Sequence, residues 1–177
     1  EELRVRYSGS QAEREEKKDE PKKEKGKNQE KKEEGSILDQ WANKVILKVS
    51  KIVECERHPE GEKLYILKLN TGEPEERTIV SSIVPYYKKE ELMGRNIVLV
   101  SNLKPANFRG VKSYGMLLAA ADKDDDSHST CELIFADEFE VGTVLEYEGQ
   151  PETEKITTYL KADHFFDMPM ETINGSV

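Results

Sequence analysis

The sequence predicts an all-β domain carrying one short helix. Three observations lead there. The middle of the chain is a series of short runs rich in valine and isoleucine. In the first of them the residues alternate at a period of two, as a half-buried strand does. The one helix-forming stretch among them stops at Gly94, a usual helix end.

Taken in order, Val45, Leu47 and Val49 alternate with Ile46, Lys48 and Ser50 in the first strand. The phase slips at Lys51, Ile52 and Val53, which predicts a bulge or bend. Residues 64–69, 78–84, 97–100 and 115–120 are four further strands, and residues 87–93, between the third and fourth, form the helix. Three strands, a short helix and two more strands is the order of a five-stranded OB-fold barrel. A small β-sandwich would share the strand pattern, but the helix at that point favours the barrel. Residues 132–147 read as a further strand pair joined by an Asp/Glu/Gly turn. Ile156, Leu160, Phe165 and Phe166 are expected to pack back on the barrel. The expected plan is a charged, largely disordered linker over residues 1–36, the barrel over 37–148, and a small β-containing C-terminal extension over 149–177.

Of the 177 residues, 36% are hydrophobic and 36% charged, so part of the chain is expected to lie outside any core. Beyond Ala12, residues 11–35 hold no aliphatic side chain, and too little apolar area to offset ordering. Residues 13–34 carry nine basic and nine acidic groups. Opening on Glu1 rather than Met, the chain reads as a piece of a longer one. No apolar run approaches the roughly 18 residues that span a bilayer, so no membrane partner is expected. Two cysteines, Cys55 and Cys131, exclude a disulfide scaffold and favour a cytoplasmic location.

The net charge of −9 conceals a division. Residues 37–121 carry thirteen basic and ten acidic groups, net +3, whereas residues 122–177 carry three and fifteen, net −12. Screening confines charge effects to about 8–10 Å, so a ligand meets the local field rather than the total.

No enzyme constellation is present: no Gly-rich phosphate loop, no G-x-S-x-G elbow, no H-E-x-x-H, and neither H-I-G-H nor K-M-S-K-S. No catalytic residue and no cofactor is expected. Cys55-x-x-His58 and His128-x-x-Cys131 have zinc-like spacing, but neither sits in a knuckle and they lie far apart, so no metal is assigned. The aspartates at 122, 124, 125 and 126 lack the Gly and Glu that complete a calcium loop and read as a solvated turn. Asn174-Gly175-Ser176 is a chance sequon.

The most informative stretch runs from Asn102 to Met116, between the fourth and fifth strands. Lys104, Arg109 and Lys112 can neutralise phosphates. Phe108, Tyr114 or the Arg109 plane can stack on an unpaired base, and Asn102 and Ser113 can bond sugar or base edges. The competing reading is a solvated loop with Phe108 and Met116 in the core.

These residues also resemble a known family. The segment 102–116 is similar to the N-L-K-P-A-x-x-R-G-V-x-S-x-x-M segment of tRNA-binding domains of the endothelial monocyte-activating polypeptide II type. Arg57-His58-Pro59 followed by Leu64-Tyr65 resembles its K-H-P…L-Y, and residues 77–83 its R-T-V-V-S-G-L. The resemblance covers residues 45–120 and implies an OB-fold that binds tRNA by shape and backbone without catalysis. Carried over by position, it implies that Lys48, Ser81, Asn102, Lys104, Arg109, Ser113 and Met116 face RNA; the cationic loop adds Lys112. Residues 2–12 resemble the end of the anticodon-binding domain of methionyl-tRNA synthetases, which implies a tether to such a ligase. Partners implied are tRNA and other aminoacyl-tRNA synthetases, in a monomer or homodimer. The alternatives are a scaffold of a multi-synthetase complex and a cytokine-like fragment. Ser50 and Glu54 depart from the Gly and Thr of the family's cytokine-associated heptapeptide and stand against the latter.

Overall fold

The computed structural model describes residues 3–5, 36–122, 129–147, 156–168 and 171–172. The expected linker therefore lies almost wholly outside the described residues, as do the acidic turn beyond Asp122, His128 and the sequon. Within 1–36, Leu3–Val5 form β1, and Ser36 caps a helix that the strand pattern did not announce, α1 (Ile37–Lys44). Its signal was a capping box: the Ser36 hydroxyl accepts from Asp39 N–H at 3.2 Å, and the Asp39 carboxylate accepts from Ser36 N–H at 2.9 Å.

The barrel follows. Strand β2 (Leu47–Arg57) is the long central strand, with β3 (Tyr65–Asn70) antiparallel to its second half and β4 (Arg77–Ser81) beyond that. Then comes α2 (Lys89–Leu92), shorter than residues 87–93 because 83–87 are spent on a turn held by the Ile83 carbonyl. Strand β5 (Asn96–Val100) pairs with the first half of β2. An excursion, β6 (Ala106–Phe108) and β7 (Val111–Ser113), precedes β8 (Met116–Leu117), which pairs with β5. The order β4-β3-β2-β5-β8 is that of a five-stranded barrel. Two bonds draw its edges together: Tyr114 N–H donates to the Thr78 carbonyl at 3.0 Å, and Val80 N–H to the Ser113 hydroxyl at 3.0 Å.

The predicted slip is a real bulge. Ile52 pairs with Leu69 and Glu54 with Lys68, leaving Val53 as the extra residue. Without it, Ile52 and Cys55 would point to opposite faces; with it, both enter the barrel core beside Leu67, Leu69, Ile79, Ile97 and Leu99. Strand β5 is buried on both faces, which explains its unbroken apolar run. Ile97 and Leu99 point inward, while Val98 and Val100 join a second core with Val49, Leu103, Met116, Leu118, Leu160 and Phe165. Burying each such aliphatic side chain contributes about 1.5–3 kcal/mol.

The C-terminal part differs from the expected strand pair. Strands β9 (Ala119–Asp122), β10 (Glu132–Leu133) and β11 (Val144–Leu145) follow β8, but β10 pairs with β9 and β11 with Leu47 and Lys48 of β2. Asp137 prevents a simple hairpin. Its carboxylate accepts from Asn96 N–H at 2.8 Å and Arg95 Nε at 2.6 Å, fastening the turn to β5. Leu160 then bridges Leu103, α3 (Ala162–Asp167) sets Phe165 edge-on to Trp41 at 5.7 Å, and β12 (Glu171–Thr172) pairs with β1.

Candidate nucleic-acid interface

The excursion between β5 and β8 is a tight hairpin. Phe108 pairs with Val111, so Arg109 and Gly110 form a two-residue turn. Both have positive φ, 48° and 88°, the requirement of the turn whose twist matches the flanking strands. Gly110 takes this conformation without penalty; Arg109 does so at a cost of about 1–2 kcal/mol. The Asn107 side-chain oxygen accepts from Gly110 N–H at 2.8 Å and closes the turn.

His58 fastens the hairpin to the β2–β3 loop. The ring is buried, accepts at Nδ1 from Glu60 N–H at 3.1 Å, and lies at Nε2 3.1 Å from the Phe108 carbonyl. An amide N–H needs an acceptor and a carbonyl needs a donor, so the bonded ring carries its proton on Nε2. Arg109 in turn donates to the Glu60 carbonyl. Arg109, Pro59, Glu60, Glu62 and Lys63 line a shallow groove of about 370 Å³ there.

Asn107 and Lys112 face each other across the hairpin, both exposed. The Lys112 ammonium lies 5.8 Å over the Tyr114 ring, which is 43% exposed. Tyr114 adjoins Thr78, whose hydroxyl accepts from Lys68 Nζ at 2.7 Å. Cations and an aromatic ring thus continue from the hairpin onto the outer face of β3. At the root of the excursion Lys104 is exposed, its N–H bonded to the Leu160 carbonyl at 2.8 Å.

The eight sequence-assigned residues therefore divide. Lys104, Arg109 and Lys112 are exposed along the excursion. Lys48 is half-buried and ion-paired with Glu73 at 3.1 Å. Ser81 is buried at the end of β4. Asn102, 8% exposed, holds the junction of α1 and β2: its oxygen accepts from Ile46 N–H at 3.0 Å, and its NH₂ donates to the carbonyls of Lys44 at 2.8 Å and Thr158 at 3.3 Å. Ser113, 2% exposed, accepts from Val80 N–H and donates to the Gly115 carbonyl at 3.2 Å. Met116 lies in the second core. The side chains of these last three all meet protein.

Lys68, Thr78 and Arg77 were absent from the sequence assignment. For Lys68 the signal was the alternation in β3, where Ile66, Lys68 and Asn70 face outward while Leu67 and Leu69 are buried; Arg77 and Thr78 lie on β4. Arg77 donates to the Ser101 carbonyl and lies 3.5 Å from that of Tyr114, holding both roots of the excursion. The zinc-like spacing resolves otherwise: Cys55 lies in the barrel core, where burial pushes its thiol up to about 11, and both His58 nitrogens meet backbone.

A small barrel whose excursion before the last strand displays cations beside an aromatic ring defines an OB-type nucleic-acid-binding module. Residues 47–143 match the family described as "Putative tRNA binding domain", and the chain belongs to that family. It is 40% identical over 140 residues to the methionine–tRNA ligase of Treponema denticola, covering 73% of this chain and 18% of that protein. It is 57% identical over 81 residues to that of Borrelia garinii, covering 46% of this chain and 11% of the ligase. The chain thus spans less than a fifth of the length of these two relatives. Among solved structures it is similar to the C-terminal domain of Plasmodium vivax p43, with TM-score 0.62, 28% identity, 71% of this chain and 76% of that one covered. A MetRS-related protein from Pyrococcus horikoshii gives 0.55, 34% identity and 64% and 99% coverage. The CsaA chaperone of Picrophilus torridus gives 0.51, 26% identity and 58% and 92%. The barrel is a tRNA-binding domain, a binding module rather than a catalytic one.

Proposed function

We propose that this domain grips tRNA by backbone and shape and retains or delivers it for an aminoacyl-tRNA synthetase in the same polypeptide, a methionyl-tRNA synthetase. The observation that carries the reading is the continuous set of exposed Arg109, Lys112 and Tyr114 and half-buried Lys68, with exposed Lys104 at its root. Phosphates pair with the cations and an unpaired base stacks on Tyr114. No base-edge reader is needed, so discrimination among tRNAs is weak. Residues 11–35 supply the link to the rest of the polypeptide, and the site of action is the cytoplasm. Joining two weak contacts raises avidity by about 100-fold or more without new specificity.

Lys104→Ala with Lys112→Ala tests the reading by fluorescence anisotropy on a mixed tRNA pool. The expected result is at least about tenfold weaker binding and a salt dependence flatter by roughly two units. Unchanged binding, with partner synthetases retained after RNase treatment, would instead favour the protein-scaffold reading.

A further inference from the structure

Two cations on the barrel converge on one carboxylate. Lys48 Nζ lies 3.1 Å and Arg77 Nη2 2.8 Å from Glu73 Oε1, and Arg77 Nε lies 3.0 Å from Oε2. Lys48 and Arg77 come from strands β2 and β4, whereas Glu73 comes from the loop between β3 and β4. Arg77 has a hold of its own besides, since Nη1 donates to the Ser101 carbonyl. The cations are therefore set in place by strands, and the carboxylate is brought to them by a loop. Two positive charges against one negative leave the cluster cationic. The same Nη1 lies 3.5 Å from the Tyr114 carbonyl, so the cluster is continuous with the stacking surface.

We infer that the Glu73 carboxylate occupies an RNA-phosphate site formed by Lys48 and Arg77, and that a backbone phosphate displaces it when tRNA binds. This rests on the tRNA-gripping reading above. A carboxylate and a phosphate present the same pair of anionic oxygens to a guanidinium fork, so the two are interchangeable at Arg77. The Glu73 side chain, 38% exposed, has solvent on one side to move into. In the absence of RNA it satisfies two cations that would otherwise attract any polyanion. In its presence it competes, holding affinity below what the cations alone would reach. A module that hands tRNA on gains by such weakening, because release stays fast.

The test is tRNA binding by the full chain and three loop variants. Glu73→Gln removes the competing charge, and Glu73→Asp keeps the charge but withdraws it from the fork by one methylene. Glu76→Gln removes a charge from the same loop away from the fork. Glu73→Gln and Glu73→Asp are expected to bind roughly three- to tenfold tighter than wild type, and Glu76→Gln much less so. Adding Lys48→Met to Glu73→Gln should abolish the gain. Thermal melts confirm that each variant is folded, and if Glu73→Gln is not, Glu73→Asp decides alone. Wild-type binding with no gain in a folded Glu73 variant, or a gain that survives Lys48→Met, overturns the inference and leaves Glu73 a structural tie. Absence of tRNA binding by wild type and Glu73→Gln alike is a failure of the tRNA-gripping reading and overturns both.

Discussion

His58 Nε2 stands 3.1 Å from the carbonyl of Phe108, fifty residues along the chain. This bond joins the loop after β2 to the hairpin that carries Arg109. The ring's other nitrogen is held by Glu60 N–H, and Glu60 in turn takes a bond from Arg109. One buried imidazole thereby fixes the hairpin tip against the barrel.

Replacing His58 should therefore damage binding through position rather than charge. His58→Ala removes the partner of the Phe108 carbonyl and Glu60 N–H, at a cost of about 0.5–1.5 kcal/mol each. His58→Gln, which offers one donor at nearly the same reach, should recover part of the tRNA affinity. Denaturant melts and anisotropy on both variants check this. Equal binding by all three proteins would show that the hairpin is held by other means.

At Arg109 fold and function should separate. Arg109→Gly removes a cation from a left-handed position and relieves about 1 kcal/mol of backbone strain. The melting temperature should hold or rise while tRNA affinity falls by roughly fivefold or more. Gly110→Val, by contrast, should lower stability, because a β-branched residue at φ 88° is strained. Parallel melts and binding curves distinguish the two.

Ser113 and Asn102 should behave in the opposite manner. Ser113→Ala strands the buried Val80 N–H and should cost about 1–3 kcal/mol of stability. Asn102→Ala loses bonds to Ile46, Lys44 and Thr158 and should cost at least as much. The affinity of the remaining folded protein for tRNA should stay within about twofold, because both side chains are buried and bonded to backbone. Stability and binding measured at low temperature on the same preparations give the answer.

The Cys55 thiol offers a pH test. Burial raises it from 9.0 to about 11, with Lys89 opposing. An unfolded chain therefore gives up this proton before the folded one does. Stability from this group is intact below pH 9 and falls as pH rises toward 11, by an amount on the order of 2–3 kcal/mol. Comparing wild type with Cys55→Ala at pH 8 and pH 10.5 isolates it: the wild type should lose more. At pH 8 the folded thiol should also resist alkylation until denaturant is added.

Much of the barrel was legible because it rests on local rules. Alternation marked β3, short apolar runs marked β4 and β5, and the phase slip at residues 51–53 marked the bulge at Val53. Gly94 marked the end of α2's turn. What escaped was non-local or rested on a single cap. Ser36 and Asp39 announce α1 only if the capping box is read. The partners of β10 and β11 depend on Asp137 reaching Arg95 and Asn96, which no period reveals. In the candidate interface, charge singled out Lys104, Arg109 and Lys112, which are exposed. Asn102 and Ser113 have side chains equally suited to bonding RNA or backbone, and only burial tells which. Charge patterning singles out neither Lys68, a lone cation on a strand, nor Glu73, an acid among cations.

On the proposed reading, this barrel grips tRNA through phosphates on the face formed by Lys104, Arg109, Lys112, Tyr114 and Lys68. The most direct measurement is anisotropy of the full chain with labelled tRNA across a salt series, with a single non-cognate tRNA and an unstructured RNA as competitors. Micromolar binding is expected, with a log–log salt slope of about −2 to −4, near-equal competition by different tRNAs, and poor competition by the unstructured RNA. No binding at low salt, or binding indifferent to salt, would contradict it.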